Sequence, residues 1–90
     1  MSKHLKEVKV YTTEYCPYCD RAKKLLDRKQ IDYKVIDLSS DPDELAKLKE
    51  KTGLKTVPQI FIGEELIGGF QELSLLESSG ELDKKILFST

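Results

Sequence analysis

Cys16 and Cys19 are the chain's two cysteines, and they stand in "YCPYCDRAKKLLDRKQ" with only Pro17 and Tyr18 between them. Two thiols at this spacing can close a structural disulfide, supply half of a metal site, or cycle between dithiol and disulfide as a redox pair. A bridge between neighbours in one turn closes too small a loop to stabilise much. A tetrahedral zinc site wants four ligands, and beyond the cysteines the chain offers carboxylates and one histidine, His4, in an expected tail. No metal is expected, and redox exchange is the chemistry that the pair fits best.

Reactivity depends on which elements hold the pair. The segment "EVKVYT" at 7–12 alternates and is rich in β-formers, and "DYKVIDL" at 32–38 reads the same way, so both are expected strands. Between them Ala22, Leu25, Leu26 and Lys29 share one helical face, and Pro17 suits a first helical position. Strand, helix and strand within about thirty residues make a βαβ unit with parallel strands. In "SDPDELAKLKEKTG", Asp41 can cap a second helix, Pro42 opens it, Glu44 completes a capping-box pattern, Leu45 and Leu48 face inward, and Gly53 stops it. "PQIFIG" and "EELIGG" read as a hairpin turning at Gly63, Glu64 and Glu65, ended by Gly68 and Gly69. "FQELSLLESSG" follows as a helix with Phe70, Leu73, Leu76 and Glu77 on one face, and "ELDKKILFS" as a shorter last helix running to the terminus. The order β-α-β-α-β-β-α-α is an α/β fold, a four-stranded mixed sheet flanked by helices.

This order puts the cysteines in the turn after the first strand, at the N-terminus of the next helix. Unpaired N–H groups and the positive end of the helix dipole favour a thiolate there and lower the thiol pKa. Cys16, the outer residue, is therefore the expected nucleophile. Cys19 lies on the same helix face within disulfide reach but inside the first turn, and is the expected resolving thiol. Pro17 has no N–H to leave unpaired and stiffens the path between the sulfurs.

Composition narrows the partners. Ninety residues, 39% apolar and 34% charged, are enough for one domain over 1–90 whose core holds by packing alone. A formal charge of −1 with acids and bases interspersed offers no field for nucleic acid or an anionic membrane, and neither is an expected partner. No apolar run approaches a membrane span and the N-terminal stretch lacks a leader pattern, so a cytoplasmic monomer is expected. In a reducing cytosol a close cysteine pair is catalytic or metal-binding more often than structural.

"TVP" at Thr56, Val57 and Pro58 precedes the third expected strand, where a proline either starts an edge strand or adopts the cis form. From "VYTTEYCPYC" through "TVPQIFI" to "IGGFQEL", nearly the whole chain resembles the glutaredoxins, small thioredoxin-fold dithiol oxidoreductases. The resemblance implies that Cys16 attacks mixed disulfides, that Cys19 resolves protein disulfides, and that glutathione is the reducing co-substrate. It implies that Tyr18 flanks a glutathione groove and that Pro58 is cis. The Thr56-Val57-Pro58 backbone would then pair with the cysteinyl part of glutathione as an added strand does. Gly68 and Gly69 would let the backbone approach a ligand, and the helix start with Phe70 and Gln71 would receive the γ-glutamyl carboxylate. Lys55 would meet a carboxylate of the same ligand.

The chain departs from the family pattern at three places. Thr13 stands where many relatives have a lysine near the thiolate, and Leu45 occupies the second helix where relatives place a polar contact. Phe70, Gln71 and Glu72 occupy the stretch after the glycine pair where relatives often carry acidic or hydroxyl residues that meet the glutamyl end; Gln71 can still hydrogen-bond there, and Glu72 would repel a carboxylate and attract the ammonium of such a ligand. Two other functions therefore stand beside the glutathione-dependent one. The first is a glutaredoxin-like redoxin recharged by thioredoxin reductase, serving for instance ribonucleotide reductase. The second is an iron–sulfur cluster carrier, which the stiff Pro17 disfavours.

Overall fold

Val8, Val10 and Thr12 are buried while Lys9 and Tyr11 between them are half-buried, the two-residue period of a strand with one face on the core. The protein, seen in a computed structural model that describes residues 4–14 and 16–88, runs in chain order β1 (His4–Leu5), β2 (Val8–Thr12), α1 (Pro17–Arg28), β3 (Lys34–Asp37), α2 (Pro42–Thr52), β4 (Gln59–Ile62), β5 (Glu65–Gly68), α3 (Phe70–Ser79), α4 (Glu81–Ile86) and β6 (Leu87–Phe88). The expected β-α-β-α-β-β-α-α order is recovered as β2 to α4. The main sheet has the order β3-β2-β4-β5, with β2 parallel to β3 and antiparallel to β4, and β4 antiparallel to β5. Among the described residues no helix is long and apolar enough to cross a membrane.

One cluster joins the sheet to the helices. Val8, Val10, Ile60 and Ile62 from β2 and β4 pack with Ala22, Leu25 and Leu26 of α1, Leu73 of α3, and Leu82 and Ile86 of α4. Each fully buried aliphatic side chain of this size contributes roughly 1.5–3 kcal/mol relative to exposure. The face read from the sequence of α1 is thus the buried one, except at Lys29, the α1 C-cap. There the residue is half-buried as a whole, and its ammonium bridges Glu77 of α3 at 3.3 Å and Asp83 of α4 at 3.2 Å. The hydrogen bond to Asp83, then that to Glu77, raises its pKa above the ordinary lysine value.

The ends of the elements follow from local chemistry. Asp41 accepts the Glu44 N–H at 3.2 Å as a cap should, and Gly53 closes α2 with φ 77°. The capping box is only half made, because Glu44 turns to Lys47 at 3.5 Å and the Asp41 N–H donates to the Leu38 carbonyl instead. The last helix also stops earlier than its sequence suggests. It ends at Ile86, and Leu87–Phe88 pairs antiparallel with His4–Leu5, so the expected N-terminal tail and helical C-terminus form a two-stranded ribbon.

Candidate active site

Strand β2 ends at Thr12 and α1 begins at Pro17, so the chain must turn within four residues, and Cys16 becomes the helix N-cap. Its backbone is extended, with φ −117° and ψ 93°, and its Sγ accepts the Cys19 N–H at 3.1 Å. A sulfur thus takes the place that a serine or aspartate oxygen fills in ordinary caps. Pro17 at the first helical position costs no hydrogen bond. Cys16 and Cys19 form a disulfide, with Cα atoms 5.1 Å apart. Cys19 is 2% exposed, while Cys16 is only half-buried, which is the inner and outer arrangement expected of the pair.

Opposite the sulfur lies the loop before β4. The Val57 carbonyl oxygen is 3.5 Å from Cys16 Sγ, and the Val57–Pro58 peptide is cis, as the family resemblance implied. What holds this loop is Gln59, a fully buried polar residue that reading the segment as a strand did not single out. Its Nε2 donates to the carbonyls of Leu54 and Thr56, both at 3.1 Å, and its Oε1 accepts the Thr52 hydroxyl at 2.9 Å. The Thr52 oxygen accepts the Leu54 N–H at 3.2 Å, so one amide ties the end of α2 and the loop to β4. A lone glutamine in an otherwise apolar strand carries no pattern, which is why the signal was missed.

The glycine pair comes close to the same loop. The β4–β5 register shifts between Ile60 and Phe61, leaving Ile67 unpaired, and Gly68 follows with φ 120°. A Cβ on Gly68 would stand 2.9 Å from Glu72 Oε1, and one on Gly69 would stand 3.5 Å from the Pro58 carbonyl oxygen. The Glu72 carboxylate accepts the Gly69 N–H at 2.7 Å and so caps α3 from its third residue. Glu72 is therefore committed to its own helix terminus.

Between these parts runs a groove of about 740 Å³, lined by Tyr18, Leu54, Thr56, Val57, Pro58, Gly69, Phe70, Gln71, Glu72, Ser74 and Leu75. Of the residues that the resemblance implied for glutathione, Tyr18, Thr56, Val57, Pro58, Gly69, Phe70 and Gln71 line it, while Lys55 is exposed and does not. Leu54, Ser74 and Leu75 were not foreseen. Tyr18 is 56% and Leu75 61% exposed, so the walls offer apolar surface to a ligand. Thr13 and Leu45 are both half-buried, and the Thr13 hydroxyl donates weakly to the Glu14 carbonyl at 3.5 Å. A second cavity of about 670 Å³ lies at the far end of β2, among Lys6, Val8, Ile31, Tyr33 and Ile86, and holds neither cysteine.

A strand–turn–helix that presents a dithiol beside a cis-proline loop is the arrangement of the thioredoxin-fold disulfide exchangers. The glutaredoxin family model matches residues 8–67. The chain is 50% identical over 76 residues to the glutaredoxin of Pseudomonas aeruginosa, covering 84% of this chain and 90% of that protein. It is 40% identical to glutaredoxin 3 of Escherichia coli, covering 84% of this chain and 92% of the relative. Among solved structures it resembles the glutaredoxin of Brucella melitensis, with a TM-score of 0.83 and 44% identity over 91% of this chain and 89% of that one. It also resembles a buckwheat glutaredoxin–glutathione complex, with a TM-score of 0.81 and 35% identity over 88% and 74%. The chain belongs to the glutaredoxin family, and its activity is thiol–disulfide exchange.

Proposed function

We propose that the protein is a glutathione-dependent reductase of protein disulfides and of glutathione–protein mixed disulfides, acting as a single-domain cytoplasmic monomer over residues 1–90. The observation that carries this is the continuity of the groove with the disulfide: Val57, whose carbonyl lies 3.5 Å from Cys16 Sγ, also lines the cleft that runs to the start of α3. A volume of about 740 Å³ falls within the range of small-ligand sites, roughly 300–1,000 Å³. A relative at 35% identity is described as a glutathione complex, which supports the same occupant here.

In the reduced protein the Cys16 thiolate attacks a substrate disulfide. One S–S bond forms as another breaks, and the departing thiolate takes up a proton. Cys19 then attacks Cys16 Sγ, releasing the second substrate thiol and closing the Cys16–Cys19 disulfide, so that two electrons have passed to the substrate. One glutathione thiolate reopens the disulfide at Cys16, a second attacks the glutathione sulfur, and glutathione disulfide leaves. The Cys19 N–H, already directed at Cys16 Sγ, steadies the thiolate at each departure. The backbone of Val57 pairs with the cysteinyl part of glutathione, Pro58 and Thr56 shape that edge, and Tyr18 and Phe70 flank it. The N–H groups at Phe70 and Gln71 receive the γ-glutamyl carboxylate, since Glu72 already occupies that of Gly69. Lys55 reaches a carboxylate from outside the groove.

The test offers the oxidised protein glutathione with glutathione reductase, or thioredoxin reductase alone, and follows NADPH consumption. Turnover is expected with glutathione at low millimolar levels. Efficient turnover by thioredoxin reductase, with glutathione ineffective, would replace this reading with that of a redoxin. Most of the recognition uses backbone, so the loss of a lysine at Thr13 falls on affinity alone. Thr13→Lys is expected to tighten glutathione by up to about five-fold, the worth of ~1 kcal/mol from one exposed charge contact, with the gain shrinking at high salt.

A further inference from the structure

A second, shallower groove of about 460 Å³ opens beside the first, lined by Arg21, Lys24, Asp27, Arg28 and Phe70. We propose that Arg21, Lys24 and Arg28 form a docking strip for an acidic stretch of the protein substrate, which lies along α1 while the substrate's disulfide reacts at Cys16. The proposal rests on the reading that protein disulfides are substrates, and it adds the kind of substrate preferred.

Positions 21, 24 and 28 are spaced i, i+3 and i+7, so the three cations share one face of α1 over about 10 Å of its length. The strip is continuous with the redox site. The Arg21 guanidinium stands 5.2 Å from the centre of the Tyr18 ring, Tyr18 and Phe70 have ring centroids 6.2 Å apart, and Phe70 lines both grooves. Among the described residues, Arg21, Lys24 and Arg28 make no ion pair, and neither do Lys6, Lys34, Lys49, Lys51, Lys55 and Lys84, but it is these three that line one groove beside the redox site. The one carboxylate in the groove, Asp27, accepts the Tyr33 hydroxyl at 2.9 Å. A chain with a formal charge of −1 therefore keeps three cations without ion pairs together at the edge of its reactive site, Arg21 over the Tyr18 ring and Lys24 and Arg28 further along α1.

The charge selects the occupant. The groove holds no thiol, so a ligand confined to it would not react, and it matters to exchange only if filled by the molecule whose disulfide meets Cys16. The overall charge offers no field that would gather nucleic acid. An extended peptide advances about 3.3 Å per residue and a helix about 1.5 Å. A carboxylate two or three residues from the reacting cysteine therefore reaches Arg21, and one five or six residues away reaches Arg28. Contacts of this sort steer encounter and raise the association rate, and salt screens them.

The experiment uses the full chain, reduced beforehand and freed of reductant, in single turnover against three peptides. Each has an internal disulfide, with glutamate, serine or lysine at the second to sixth residues from the reacting cysteine. The dithiol passes two electrons to the peptide, which leaves as a dithiol while Cys16 and Cys19 close their disulfide. At about 20 mM salt the glutamate peptide is expected to react about ten-fold faster than the serine peptide, and within about two-fold at 500 mM. Lys24→Glu with Arg28→Glu should reverse the order and favour the lysine peptide, and Lys24→Gln with Arg28→Gln should erase it. Both variants should reduce hydroxyethyl disulfide, small and uncharged, at the wild-type rate, which shows the fold and the thiol intact. Equal rates for the glutamate and serine peptides in the wild-type protein overturn the docking strip and leave the substrate reading standing. Reduction of hydroxyethyl disulfide with none of the peptides reduced overturns both.

Discussion

Replacing Cys16 by serine is expected to reduce every thiol–disulfide exchange of this protein to the background rate, whereas replacing Cys19 by serine should spare the removal of glutathione from mixed disulfides and stop the reduction of protein disulfides. The asymmetry follows from position. Cys16 is the N-cap of α1, half-buried, with the Cys19 N–H directed at its sulfur. A thiolate is favoured there by the unpaired donors and dipole of the helix start. Cys19 is 2% exposed inside the first turn, so an outside disulfide cannot reach it, but it can reach Cys16. When it is absent, a glutathione thiolate can still resolve a glutathionylated Cys16 from the open side. Iodoacetamide given to the reduced protein at neutral pH should accordingly label Cys16 before Cys19, as peptide mapping would read. Faster labelling of Cys19, or exchange surviving in Cys16→Ser, would exchange the two roles.

What was legible in the sequence was what short stretches of chain decide. The cysteine spacing with Pro17, the cap at Asp41 with the stop at Gly53, and the alternation of β2 each need only neighbouring residues, and each stands in the structure as read. What escaped depends on residues far apart. Lys29 was placed with Ala22, Leu25 and Leu26 by period alone. Its charge is accommodated there because Glu77 and Asp83 arrive from α3 and α4. The terminal ribbon joins His4–Leu5 to Leu87–Phe88, a pairing that no local pattern announces. Glu72 was weighed as a residue that would meet the ligand, and it caps its own helix instead, because the Gly69 N–H lies within 2.7 Å. The three cations on α1 carry no signal in the sequence, because it is the fold that sets Phe70 of α3 beside them.

Gln59 is where a single buried side chain should matter most for both stability and the site. It is 0% exposed, and its amide makes three hydrogen bonds that tie Thr52, Leu54 and Thr56 to β4 just before the residue that faces Cys16. Gln59→Leu keeps the approximate volume but strands the Thr52 hydroxyl and two carbonyls, of which that of the exposed Thr56 can turn to water. A buried polar group left without a partner costs about 1–3 kcal/mol, and because Thr52 and Leu54 are only half-buried each falls at the lower end, so a total loss of roughly 2–3 kcal/mol is expected. In a domain of this size that lowers Tm by about 10–20 °C. Under the proposed function, glutathione turnover at low concentration should fall more than Cys16 alkylation, because the loop would position glutathione while the helix start favours the thiolate. Gln59→Glu separates the hydrogen bonds from the shape. The new carboxyl can still accept from Thr52, but when ionised it turns an acceptor toward the carbonyls of Leu54 and Thr56, and burial without donors raises its pKa above the usual ~4.3. A group whose folded pKa is raised contributes stability that is fully present below the unfolded value and is lost as pH rises through the folded one. The Tm deficit of Gln59→Glu should therefore widen between about pH 4 and pH 7, while that of Gln59→Leu stays constant. A deficit in Gln59→Glu that does not change with pH, or a Tm for Gln59→Leu equal to that of the wild type, would show that the loop is held by something other than this amide.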